Sequence, residues 1–197
     1  MGHSRAYPVF RTADAEEAYG LARRLHGFLE WIGDEMWVGA EPRTPQEARR
    51  MAAAVPGAAF DYAVARTDPE TGEYLCCDLD DVATAADAVL WDELPLSVSA
   101  WVPRDGVEQP FLRAVGAMSG SMDWHGRWPE DPESGTAGSE QYDGVQVVFH
   151  SDDPELSRWT EDHTVFVHVD KRSGPDRARM LAEQVGGEVL GAPRIGW

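Results

Sequence analysis

Lysine is almost absent from this chain of 197 residues. Sixteen of its seventeen basic residues are arginine, and Lys171 is the only lysine. The sequence contains no Gly-x-x-x-x-Gly-Lys loop of the kind that holds phosphate groups. It also lacks a basic patch interleaved with aromatic residues, which excludes nucleic-acid binding by charge neutralisation.

Cysteine is equally scarce. The only two, Cys76 and Cys77, are adjacent, and bridging neighbouring residues requires a strained geometry. Without a third or fourth cysteine, the chain has neither a disulfide framework nor a cysteine zinc site. We expect reduced thiols, no metal and no cofactor.

Long apolar runs are missing as well. Crossing a bilayer takes about 20 consecutive apolar residues, and no segment approaches that length. Residues Met1 to Phe10 do not show the charged and then apolar pattern of a secretory signal. We therefore expect no membrane contact and a cytoplasmic location.

Carboxylates, in contrast, are abundant, and the formal net charge is −18. The segment from Thr67 to Pro103 contains no Lys or Arg and carries nine carboxylates: Asp68, Glu70, Glu73, Asp78, Asp80, Asp81, Asp87, Asp92 and Glu93. Such a field repels nucleic acid and anionic membranes and attracts basic proteins.

Local patterns predict a mixed succession of strands and helices. One helix begins at Asp14 and another at Thr44, where Pro45 and Glu47 complete a capping box. A third helix is predicted near Pro175, after strand-like segments at 145–150 and 164–170. This order indicates an α+β fold with a mixed or antiparallel sheet covered by three to five helices. The strand–helix–strand pattern at both ends leaves split-βαβ units open, within a single domain spanning 1–197.

A helix is also predicted from Asp80 or Asp81 to Glu93. Helical spacing places Asp80, Thr84, Asp87 and Trp91 on one face, and a buried stripe of Val82, Ala86, Val89 and Leu90 on the other. A tryptophan among carboxylates is typical of an interface anchor, unless Trp91 folds under the neighbouring loop. The cluster Asp78, Asp80 and Asp81 is better explained as helix capping than as a cation site, since no calcium-loop pattern is present.

Residues 119–144 are rich in Gly, Ser, Pro and acidic residues, and we expect a mobile loop there. Trp124 and Trp128 in this segment would grip a ligand or partner, with Arg127 binding a carboxylate. Alternatively, the two indoles pin the loop onto the core.

The late strands supply the candidate catalytic residues. Strand alternation places His168 and Asp170 on one face, and pairing with the preceding strand would bring His150 near them. A His–Asp pair can act as a general base beneath the 119–144 loop. A sheet with one wet face places polar residues there without any catalytic role.

Two functions follow from these patterns. The first is an acidic binding protein that captures a basic protein partner, as an inhibitor or immunity protein does, through Asp80, Asp87, Trp91, Trp124, Arg127 and Trp128. The alternative is a small-molecule enzyme that uses His150, His168 and Asp170. The sequence does not decide whether the protein is an enzyme.

Overall fold

The structure, a computed structural model, describes residues 4–77, 79, 81–131, 135 and 137–197, with the backbone alone at 31 and 32. The described chain is mixed α/β, with five helices and a large antiparallel sheet. The helices are α1 (Ala15–His26), α2 (Pro45–Ala54), α3 (Asp87–Glu93), α4 (Arg104–Val115) and α5 (Gly174–Glu183). The strands are β1 (Ser4–Thr12), β2 (Trp31–Ile32), β3 (Glu35–Ala40), β4 (Ala59–Tyr62), β5 (Arg66–Thr67), β6 (Tyr74–Leu75), β7 (Leu96–Pro103), β8 (Gly120–Arg127), β9 (Asp143–Phe149), β10 (His163–Asp170) and β11 (Arg194–Ile195).

The first two helices begin where their capping residues predict. The Asp14 side chain accepts hydrogen bonds from the backbone N–H groups of Glu16 and Glu17 at the start of α1. At α2, Thr44 and Glu47 form the reciprocal capping box, and Pro45 occupies the first helical turn. These contacts satisfy backbone donors that have no partner inside a helix.

The main sheet has the order β11-β1-β10-β9-β8-β3-β7-β4, with β2 also paired to β8, and its pairs are antiparallel. Helix α2 connects β3 to β4, and β7 lies between these strands. Helix α4 connects β7 to β8 across β3, and α5 connects β10 to β11 across β1. This connectivity is that of split βαβ units. At the N-terminal end, α1 leads from β1 directly to β2 and β3 in the other half of the sheet.

The carboxylate-rich part of the sequence lies in a connection between two strands. Strands β3, β4, β7 and β8 form a βαββαβ unit, and residues 63–95 connect its second and third strands in chain order, β4 and β7. This connection contains the small β5–β6 hairpin and α3. It is therefore an elaboration outside the main sheet.

One face of the sheet carries the main core. Alternate residues of each central strand, such as Val38, Met122, Val147 and Val167, pack with apolar residues of α1, α2, α4 and α5. The period of two places the intervening residues on the opposite face, which we call the second face. Over β1, β9 and β10, the second face is covered by Leu156 and by the C-terminal Trp197.

The predicted acidic helix is shorter than expected. Residues 81–85 form turns, and α3 begins only at Asp87. The Asp81 carboxylate accepts hydrogen bonds from the Ala83 N–H and the Thr84 hydroxyl, and this local turn competes with a helix. Of the expected buried stripe, Val82 and Leu90 are buried, whereas Ala86 and Val89 are exposed. Asp78 and Asp80 lie outside the described residues.

The expected loop at 119–144 contains a central strand of the sheet, so that expectation is wrong for residues 120–127. Strand β8 pairs with β9 from Gly120 to Gly126 and with β3 from Gly120 to Asp123. Its apolar residues Met122 and Trp124 face the core, and its polar residues Ser121, Asp123 and His125 lie on the second face. The polar composition therefore reflects one polar face of a strand.

No helix within the described ranges combines the length and the apolar character that a membrane span requires.

Candidate functional site

The structure does not bring His150 and His168 together. In the antiparallel ladder His168 pairs with Gly144, and Thr164 pairs with Val148, so His150 lies beyond the far end of that ladder. Six residues of strand separate the two levels, which is about 20 Å at 3.3 Å per residue. His150 instead packs against His163, with ring centroids 4.5 Å apart, and stacks on Trp159.

His168 belongs to a buried hydrogen-bond network. Its Nε2 lies 3.1 Å from Oε1 of Gln146, and its Nδ1 lies 2.9 Å from the Ser4 hydroxyl. Because an amide oxygen only accepts, Nε2 carries the proton, and Nδ1 accepts from Ser4. Burial holds the pKa of His168 well below its usual value, so the ring is neutral. Both nitrogens are thus occupied by structural hydrogen bonds.

Asp170 forms an ion pair with Arg172 and does not bind His150 or His168. Its carboxylate accepts two hydrogen bonds from the Arg172 guanidinium, at 2.8 and 3.0 Å, and this contact lowers the pKa of Asp170. His150, His168 and Asp170 therefore do not form one cleft.

Trp124 and Trp128 are fully buried in the main core, as the pinning alternative predicts. The Trp128 indole donates to the backbone carbonyl of His168 at 2.8 Å. Arg127 is half-exposed and lies 3.6 Å from Glu30 and 3.8 Å from Glu140. A partner can reach Arg127 but not the two indoles.

Trp91 and Asp87 occupy the solvent side of α3. The Trp91 side chain is 56% exposed, while the neighbouring Leu90 is completely buried. Asp87 lies one turn earlier on the same face and forms an ion pair with Arg49 at 2.6 Å. The predicted pairing of an exposed tryptophan with carboxylates is therefore present on this helix, while the predicted Asp80 lies outside the described residues.

Asp123 is a buried carboxyl group that the sequence did not single out. It lies opposite Trp37 and Gln146 on the second face, and its Oδ1 has no hydrogen-bond partner among the described residues. Burial raises the pKa of Asp123 to about 7, although hydrogen bonds from Ser121 and Gln146 oppose this shift. The group therefore keeps its proton to a much higher pH than an exposed carboxyl group does.

Replacing Asp123 with Asn tests this ionisation. The folded pKa lies above the usual value of 3.8, so the wild type loses stability as the pH rises through this window, and the loss is complete above pH 7. We expect the free energy of unfolding of Asp123→Asn, relative to wild type, to rise by about 2 kcal/mol between pH 5.5 and 8. Urea unfolding at both pH values measures it. An unchanged difference between the two proteins would show that Asp123 is already ionised at pH 5.5.

Three further side chains of the second face lie close together and were missed. Trp101 contacts Trp37 and His125, with ring centroids 5.4 and 5.2 Å away, beside an open depression. In the sequence these residues are up to 88 positions apart, and only the sheet register brings them together. Strand alternation in β7 predicts that Trp101 and the buried Val102 point to opposite faces of the sheet. No local pattern predicts the contact between Trp101 and His125.

Comparison with known proteins found no match to a family, a curated protein or a solved structure. The functional argument therefore rests on the residues of this chain.

Proposed function

We propose that this protein captures a basic protein partner through residues 63–95, the acidic connection between β4 and β7. The observation that carries the proposal is the exposed Trp91 on a helix surrounded by carboxylates. Tryptophan is the side chain most enriched at interface hot spots, and its ring face also attracts arginine.

The position of the segment in the fold supports this proposal. Long connections between the strands of a compact unit are commonly functional. Residues 63–95 leave the sheet after β4 and return at β7, so a partner bound there would not disturb the main core. The β5–β6 hairpin is held beside α3 because Arg66 donates to the backbone carbonyls of Asp92, Glu93 and Leu94.

Several carboxylates of this segment are available to a partner. Glu93 is already bound to Arg66 and to the Tyr62 hydroxyl. Within the described part of the chain, Glu70, Glu73 and Asp92 have no ion pair shorter than 4.0 Å. Uncompensated charges of one sign accelerate the association of an oppositely charged protein, and this acceleration weakens as salt is added.

Exposed apolar side chains accompany the charge. In addition to Trp91, four side chains of this connection are between 43% and 79% exposed: Val64, Tyr74, Leu75 and Val89. Aromatic anchors within a polar rim are the usual composition of a specific interface. The occupant that fits is a folded protein with a basic surface, and an inhibitor or immunity function is the natural use of such capture.

As part of this proposal the protein acts in the cytoplasm. There Cys76 and Cys77, which form no disulfide in the structure, remain reduced.

Neutralising the free charges tests the electrostatic part of the proposal. We expect a triple variant to retain at least tenfold less basic partner from native lysate at low salt, and high salt to release the partner from wild type. The variant is Glu70→Gln, Glu73→Gln and Asp92→Asn. Retained proteins are identified and quantified by mass spectrometry.

The matched control removes the same charge from another part of the surface. Three exposed glutamates outside the acidic connection serve for this purpose: Glu155, Glu161 and Glu183. Their replacement with Gln should leave capture within about twofold of wild type, as the effect of a distant exposed charge is screened. Equal losses in the two triple variants would contradict a localised acidic interface.

A further inference from the structure

An interruption in the sheet forms an open depression on the second face. Strand β3 pairs with β8 from Ala40–Gly120 to Trp37–Asp123, and the pairing resumes in β2 at Ile32–Gly126. Between these two pairs, residues 33–36 of the β2–β3 segment lie opposite only two residues of β8, 124 and 125. The extra residues must leave the ladder, as in a β-bulge, and such irregularities commonly shape binding sites.

The depression has a volume of about 740 Å³, and its lining combines aromatic and acidic side chains. The lining residues are Gly33, Asp34, Glu35, Trp101, His125 and Glu140. A volume of this size accommodates a small organic molecule or one long side chain.

Trp101 provides the aromatic surface of the depression. Its side chain is 52% exposed, although the indole contacts the rings of Trp37 and His125. The interplanar angles, 63° and 50°, set these neighbouring rings at steep angles to the Trp101 plane. These contacts hold the Trp101 ring in place, and the part of its face that lines the depression can attract a cation placed over it.

His125 adds an aromatic ring without adding a positive charge. Burial lowers the pKa of His125 to about 4, so the imidazole is neutral at pH 7. The Trp197 ring lies against its other side, with centroids 4.1 Å apart. A neutral ring in this position does not repel a cationic ligand.

The charges around the depression are predominantly negative. Asp34, Glu35 and Glu140 line it, and Glu30 lies next to it through Arg127. The positive charges beside them are Arg127, 3.8 Å from Glu140, and Arg104, 4.0 Å from Asp34. Among the described residues, four carboxylates thus lie near two guanidinium groups. A cation is attracted both by the rings and by the carboxylates.

We propose that the depression lined by Trp101, His125 and Glu140 binds an organic cation of the trimethylammonium type. The methyl groups pack against the indole and imidazole rings, and the charge is balanced by the carboxylates at the rim. The ligand is either a free quaternary ammonium compound or a trimethylated lysine side chain of a protein. This site is independent of the acidic connection, and the proposed capture of a basic protein does not depend on it.

Calorimetric titration of the 197-residue protein with choline tests whether binding requires the positive charge of the ligand. The control ligand is 3,3-dimethyl-1-butanol, which has the same shape but no charge. We expect choline to bind and the neutral compound to bind at least tenfold more weakly. Equal affinity for the two compounds would overturn the proposal, since an apolar pocket alone would then explain binding.

A trimethyllysine peptide, titrated beside its unmethylated form, distinguishes the two sources of the ligand. Tighter binding of the methylated peptide than of choline identifies a protein side chain as the ligand, and the reverse identifies a free compound. Both results support the site. Failure of choline and of the methylated peptide to bind would overturn it.

Variants then locate the site. We expect Trp101→Ala to weaken choline binding at least tenfold and Glu140→Gln to weaken it a few-fold. Trp159→Ala, which removes another half-exposed tryptophan, should leave the affinity unchanged. Circular dichroism shows whether Trp101→Ala remains folded, and Trp101→Phe retains an aromatic face if it does not. Unchanged choline affinity in folded Trp101→Ala and in Glu140→Gln would overturn the assignment.

Discussion

Lowering the pH from 7 to 5 is expected to destabilise this protein by several kcal/mol. Four histidines, three buried and one partly buried, have pKa values held below the usual 6.5 chiefly by burial, three of these values being about 4. They are His26, His125, His163 and His168. A group whose folded pKa is depressed contributes stability above its unfolded pKa, and this contribution is lost as the pH falls. Each histidine becomes protonated in the unfolded chain before it does so in the folded one.

The carboxyl groups oppose this effect only in part. Asp123, with a pKa raised to about 7, takes up a proton in the folded state first, and burial also raises the pKa of Asp143 and Glu41. Near pH 5 the three histidines with a folded pKa of about 4, offset by Asp123, leave the unfolded chain with about two more bound protons than the folded one. That difference corresponds to roughly 2–3 kcal/mol per pH unit, and His168 shifts in the same direction as the other histidines. The loss is a large fraction of the stability of a typical domain.

Urea unfolding at pH 7.5, 6 and 5 measures this loss directly. His26→Phe is the informative variant, because the buried Nε2 of His26 has no hydrogen-bond partner in the described part of the chain and the ring contacts Trp124. We expect this variant to reduce the pH slope by about one proton, or about 1.4 kcal/mol per pH unit. A free energy of unfolding that stays constant from pH 7.5 to 5 would show that these histidines titrate normally.

Replacing Trp124 with Ala is expected to destabilise the protein by about 3–5 kcal/mol. The indole is fully buried between β8 and the helices, where it packs against Tyr19 and His26. Its Nε1–H also donates to Glu108 at 3.3 Å, and Glu108 accepts from Tyr19 and Arg23. Truncation would leave a large cavity and disturb contacts that join α1, α4 and β8.

Chemical denaturation of Trp124→Ala and Trp91→Ala compares the free energy of unfolding lost at a buried tryptophan with that lost at an exposed one. We expect Trp91→Ala to lose less than about 1 kcal/mol, because more than half of that side chain is already in solvent. Similar losses in both variants would mean that Trp91 is structural, and the binding proposal would then lose its anchor.

The helices were predictable where their ends carry local signals. Asp14 and the Thr44–Glu47 capping box act within one turn of chain, so their sequence pattern is sufficient. The helix predicted from Asp80 or Asp81 is wrong at its start, because the Asp81 side chain forms a turn with Ala83 and Thr84 instead of capping a helix. Capping residues predict that a turn starts, but not that it continues as a helix.

Strand β8 is not predicted from composition, because the polar residues of the 119–144 segment are equally typical of a loop. Asp123 and His125 alternate with the buried Met122 and Trp124, which is the period of a strand. The side chains of Ser121 and Gln146 lie beside Asp123 on the second face and partly offset the effect of burial on its pKa. The alternation of polar and apolar residues from 121 to 125 is the sequence signal that indicates the strand.

The candidate sites differ in what the sequence reveals. Trp91 and Asp87 lie four residues apart on one helix, so spacing alone places them on one face. His150 and His168 required the register of β9 and β10, and the predicted proximity was wrong because the antiparallel ladder places them at different levels. The Trp101–His125 contact depends on two strand pairings at once, which no local pattern specifies.

The most direct measurement is the amount of basic partner that immobilised Trp91→Ala retains from native lysate, compared with wild type and with Trp159→Ala. The proposal predicts at least a tenfold loss for Trp91→Ala, no loss for Trp159→Ala and a nearly unchanged urea midpoint for Trp91→Ala. Retention of the same partner in equal amount by wild type and Trp91→Ala would contradict capture through the acidic connection.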